Sequence, residues 1–210
     1  MITSELTRAS LTVKLALALT AMATIAVEVS LTRLFSATAG YHFAFMIVSM
    51  TMFGMTAGAL FTFVRPPRDG NELYGSLSFS AALVACSLPI AYVAQGFVND
   101  AMAQIGALAW ISLIFVLYSI PFFFSGVCVS LCLSRFAEVG TLYAYDLIGA
   151  ALGCPLLIAG LTYGDPQSLI AFCGAALAVA SACFACNRSD ISGRHLIAGF
   201  VGLTLSIAAG

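Results

Sequence analysis

"IGALAWISLIFVLYSIPFFFSGVCVSLCL", residues 105–133, runs from end to end without a charge. A helix needs about 20 apolar residues to cross the hydrocarbon of a bilayer, and this stretch exceeds that length. The rest of the chain reads the same way. Charged residues make up 8% of the 210 residues and hydrophobic ones 61%, with a mean hydropathy of +1.05. A soluble domain carries about 25% charged residues, and no core of this size hides so much apolar surface from water. The composition therefore implies an integral membrane protein whose first partner is the lipid bilayer. The net charge of −1, with no basic tract, argues against nucleic acid as a partner.

Working outward from 105–133, the same rule predicts an all-α, polytopic transmembrane helix bundle. It has about seven helices, near 12–36, 42–64, 75–96, 105–133, 141–163, 167–186 and 195–210. The connections hold the turn-forming residues: "ATAG", "RPPRDGNE", "GFVNDAMAQ", "SRFAEVG", "GDPQ" and "NRSDISGR". The first helix follows Arg8 and Lys14 but continues past Glu28 to Phe35, so it reads as a retained span rather than a cleaved signal peptide. Arg8, Lys14, Arg65, Arg68, Arg135, Arg188 and Arg194 fall on one side of this arrangement and only Arg33 on the other. That bias predicts a cytoplasmic N-terminus. The seventh segment has 16 residues, about 24 Å of helix, and no polar flank. The expectation is a single transmembrane domain over 1–210 that forms the N-terminal part of a longer chain.

The few ionisable groups inside the spans are the candidates for function, because such residues are costly in lipid and face protein or a water-filled cavity. Glu28, Arg33 and His42 gather at the junction of the first two helices, with Asp165 expected on the same side. They read either as a clamp between helices or as a ligand or ion site. Glu28 and Arg33 are five residues apart and point about 140° from each other, so each is expected to find its partner on another helix. Asp146 lies near the opposite face, with Arg135 or a tyrosine hydroxyl as the expected partner, and reads as a loop anchor or a second polar point. Gly54 with Gly58 and Gly149 with Gly153 have the spacing that lets helix backbones approach closely. Pro121 frees the carbonyl of Leu117 and is expected to kink the fourth helix. Cys128 with Cys132, and Cys183 with Cys186, read as packing residues, with metal or thiol chemistry as the alternative. No P-loop, dinucleotide fingerprint, HExxH or catalytic triad is present in the sequence, so no catalytic residue, cofactor or metal is expected.

Two segments carry a resemblance. "EVSLTRLFSATAGYHFAFMIVSMTMFGMTAGAL" (28–60) and "IPFFFSGVCVSLCLSRFAEVGTLYAYDLIGAALGCPLL" (120–157) resemble the membrane domain of membrane-bound spermidine synthase-like proteins. In the second segment the Tyr-x-x-Asp-Leu-x-Gly-Ala-x-x-Gly pattern of that family falls on Tyr143, Asp146, Leu147, Gly149, Ala150 and Gly153. The resemblance implies a transporter-like membrane part that anchors or supplies a Rossmann-like aminopropyltransferase domain. That enzyme domain is absent from this sequence. It also implies polyamine or another small cation as a partner for Glu28 and Asp146, in a bacterial inner (plasma) membrane. Two other readings stand beside it: a small-molecule or ion transporter, and an accessory subunit of a larger membrane complex.

Overall fold

The computed structural model describes residues 8–38, 40–100, 106–163 and 166–187. All its regular elements are helices: α1 (Leu11–Thr38), α2 (His42–Val64), α3 (Gly70–Asp100), α4 (Ala107–Arg135), α5 (Val139–Tyr163) and α6 (Pro166–Ala185). Each is long and apolar enough to cross a membrane, so the described residues hold six such helices of a multi-pass protein. The expected seventh segment, 195–210, lies outside the described residues, as do Asp165, Arg188 and Arg194. Several helices are longer than expected. α3 begins at Gly70 because its first turn tolerates polar residues, and the carboxylate of Glu72 accepts the Arg68 N–H at 2.7 Å. α4 stays helical through Pro121, as α3 does through Pro89 and α5 through Pro155.

α1 is the axis of the bundle. It packs on α5, α6, α2 and α4, while α3 closes the far side against α4 and α6. α2 and α5 are the outer helices, and α5 is the least buried of the six. The interior holds two clusters of aliphatic and aromatic side chains. Phe35, Tyr118, Phe122 and Trp110 fill one half, and Leu17, Leu77, Leu131 and Phe136 fill the other.

Lipid tails are as apolar as leucine, so helices in a membrane are held by close packing and hydrogen bonds rather than by the hydrophobic effect. Both devices are present. A Cβ on Gly54 would sit 2.7 Å from the Ser119 carbonyl oxygen, and one on Gly58 would strike the backbone of Phe123 and Val127. From the other side, Gly126 lies against the backbone of Met55. Gly149 and Gly153 press in the same way on Ala18 and Met22, joining α5 to α1. These contacts also set directions: α2 runs parallel to α4, and α5 parallel to α1.

Buried hydroxyls supply the hydrogen bonds. Thr24 donates to the Thr20 carbonyl, so in the 2.7 Å bond between Thr24 and Ser125, across α1 and α4, Ser125 is the donor. Ser130 donates in the same way to Thr62 at 2.8 Å, bridging α4 and α2. Ser78 and Ser181 each donate to the other's carbonyl, at 3.1 and 2.8 Å, locking α3 to α6. The Tyr118 hydroxyl donates to the Gln95 side-chain oxygen between α4 and α3. At one end of the bundle, Asn187 donates to Thr12 at 2.7 Å and accepts from Ser10 at 2.8 Å. This brings the end of α6 to the start of α1, as an even number of crossings requires.

Candidate functional site

The two faces of the bundle differ in charge. Arg8, Lys14, Arg65, Arg68 and Arg135 lie at the start of α1, after α2 and at the end of α4, all on one face. Arg33 is the single described Lys or Arg toward the other. On the basic face the Lys14 ammonium meets the Glu138 carboxylate at 2.5 Å, the one ion pair among the described residues. That contact holds the Glu138 carboxyl below the usual carboxylate range, with the charges of Lys14 and Arg8 adding to it. It ties the turn between α4 and α5 to the first turn of α1, and nothing in the sequence pattern signals it.

The cluster expected around Glu28 takes a different form. Glu28 is half-buried on α1, about 15 Å from the end of that helix. Its carboxylate makes no hydrogen bond or ion pair among the described residues; the Thr32 hydroxyl bonds the Glu28 carbonyl oxygen instead, at 2.8 Å. Arg33 is exposed, and His42 is exposed with its ring against that of Tyr41, centroids 3.7 Å apart and planes tilted by 39°. The clamp expected from these three charges between the first two helices is therefore not formed among the described residues. α1 and α2 are each tied to α4 instead, α1 by the bond between Thr24 and Ser125 and α2 by the bond between Thr62 and Ser130 and the glycine contacts.

Asp146 is half-buried on α5 and bonds neither Arg135 nor a tyrosine hydroxyl among the described residues. Because Gly149 lies against Ala18 and Gly153 against Met22, Asp146 is level with residue 15 of α1. Glu28 is then about 20 Å away along the axis, so the two carboxylates do not share a pocket. What they have in common is an acidic group inside an apolar span with no hydrogen-bond or ion-pair partner among the described residues, and chemically each can accept a proton or a small cation.

All seven cysteines are free thiols, and among the described residues no group of three His, Cys, Asp or Glu side chains could hold a metal ion. Cys128 is fully buried and donates to the Leu77 carbonyl at 3.4 Å, a packing role. Two grooves flank the α2–α4 pair: one of about 280 Å³ edged by Phe53, Phe115 and Phe123, and one of about 380 Å³ edged by Met55, Val129 and Ser134. No protein-family profile, curated protein or solved structure matches the chain.

Proposed function

We propose that this chain is the membrane domain of a spermidine synthase-like protein and that it offers carboxylates to polyamine cations within the bilayer. The observation that carries the reading is the pair of half-buried carboxylates, Glu28 on α1 and Asp146 on α5, neither with a partner among the described residues. A buried carboxylate without a partner is costly, and a protonated amine supplies both the charge and the hydrogen bonds it lacks. Asp146 also belongs to the Tyr143-x-x-Asp146-Leu147-x-Gly149 run on which the family resemblance rests. In this reading the basic face is cytoplasmic, in keeping with the Lys and Arg bias, and the membrane is a bacterial inner membrane. Asp146 then lies near the cytoplasmic surface, where an aminopropyltransferase domain works, and Glu28 lies in the outer half. The two act as separate points of contact for amines rather than as one pocket.

The test is binding of radiolabelled spermidine to the protein in nanodiscs. Losing one charged hydrogen-bonding partner is worth about 1.5–3 kcal/mol, so Glu28→Gln or Asp146→Asn should weaken binding tenfold or more. Binding equal to wild type in the double variant would discard the polyamine reading. Uptake of an inorganic cation that depends on Glu28, without spermidine binding, would instead favour an ion transporter.

A further inference from the structure

The larger groove on the α2–α4 pair has an apolar floor and a polar end. Its walls are Met55 and Ala59 on α2 and Gly126, Val129, Leu133 and Ser134 on α4. The two helices are parallel and in register: Gly54 lies against Ser119, Gly58 against Val127, and Thr62 bonds Ser130 at 2.8 Å. One further turn brings Arg65, just past the end of α2, level with Ser134 and Arg135 at the end of α4. The groove thus runs toward the end of the helix pair that carries Arg65 and Arg135. Arg65 is exposed, neither arginine has an ion-pair partner among the described residues, and the exposed Ser134 hydroxyl makes no hydrogen bond there.

We infer that this groove is a binding site for an anionic phospholipid of the leaflet on the basic side of the bundle. One acyl chain lies along Ala59 and Val129, and the phosphate meets Arg65, with Arg135 and Ser134 beside it. The observation that selects this occupant is charge complementarity. A guanidinium pairs with a phosphate through two parallel hydrogen bonds, and an anionic headgroup adds net negative charge that a zwitterionic one lacks. The smaller groove is the internal contrast. Its lining of Phe53, Phe115, Val116 and Phe123 lies around the middle of the same helix pair, and no basic residue ends it. It suits an acyl chain of any lipid. This inference rests on the helices crossing a membrane and not on the polyamine reading.

Native mass spectrometry of the detergent-purified protein, titrated with phosphatidylglycerol and phosphatidylcholine of identical chains, tests it. The expected result is one tightly held phosphatidylglycerol per protein, preferred over phosphatidylcholine. Each basic residue near an anionic headgroup is worth about a fivefold change in affinity, so Arg65→Gln should cut the preference about fivefold, and Arg65→Gln with Arg135→Gln should abolish it. Ala59→Phe, which fills the groove, should reduce binding of both lipids. Equal binding of the two lipids by wild type would overturn the site, as would a preference that survives the double arginine variant. A wild-type lipid profile in a folded Ala59→Phe protein would overturn it too, because charge alone would then be attracting the lipid.

Discussion

The α2–α4 and α1–α5 pairs use the same spacing of glycines and are held in different ways. In α2–α4, contact comes from both partners, with Gly54 and Gly58 on one helix and Gly126 on the other, and a partly buried bond between Thr62 and Ser130 sets the register. In α1–α5 the glycines are on α5 alone, facing Ala18 and Met22, and no side-chain hydrogen bond joins α5 to any other helix among the described residues. The polar tie of that pair is outside the span, where Lys14 meets Glu138. Interhelical hydrogen bonds in membranes contribute only about 0.6 kcal/mol on average, so van der Waals fit carries most of both interfaces. The difference is one of redundancy. α2 has a second attachment if its glycines are disturbed, and α5 has little besides its glycines.

That contrast breaks first at Gly149. A Cβ there would overlap the Ala18 carbonyl oxygen and lie 2.7 Å from the Ala18 Cα, and backbone on both sides cannot give way cheaply. Gly149→Ala should therefore cost about 3 kcal/mol, at the upper end of overpacking penalties. It should appear as a thermal shift of the detergent-solubilised protein together with faster proteolysis in the α4–α5 turn. Gly54→Ala, whose Cβ meets Ser119 at 2.7 Å, should cost less, about 1–2 kcal/mol, because the bond between Thr62 and Ser130 still holds the pair. Equal losses at the two positions would mean that the hydrogen bond contributes no redundancy. Next in size is the bond between α1 and α4. Thr24→Val with Ser125→Ala removes both hydroxyls, leaves no orphaned donor, and should cost about 0.6–1.7 kcal/mol in a double-mutant cycle.

The same two pairs mark what the sequence makes legible. Six spans are plain from length and lack of charge, because lipid demands that every backbone group be satisfied within a helix. Their ends are less plain, since residues such as Asn71 and Glu72 can extend a helix into the headgroups. Paired glycines announce a close contact but not its partner. Gly126 has no glycine four residues away, and it touches Met55 as closely as the paired ones touch their neighbours. Hydroxyl bridges such as Ser78 with Ser181 are hidden, because isolated serines in apolar runs look like small packing residues until their neighbours are known. Charges inside the spans are visible at once, but their partners depend on helix rotation. Glu28, Arg33 and His42, within 15 residues of one another, form no ion pair with each other, while Lys14 and Glu138, 124 residues apart, do meet.

The smallest expected effect concerns that last contact, and it separates the two helix pairs by chemistry rather than by size. Lys14 holds the Glu138 carboxyl below its ordinary value of 4.5, so the folded protein favours the carboxylate more than the unfolded chain does. The contribution is therefore complete above that ordinary value and fades as pH falls through the depressed one. At neutral pH the pair should be at full strength, and salt should weaken it because both side chains are partly exposed. Spin labels on the exposed Cys154 of α5 and the exposed Cys186 beyond α6 report the position of α5. Glu138→Gln should broaden the distance distribution between them at neutral pH, and acid or high salt should broaden it in wild type only. A distribution indifferent to Glu138→Gln would mean that the glycine contacts alone fix α5. The ion pair would then be a surface contact with no part in positioning the helix that carries Asp146.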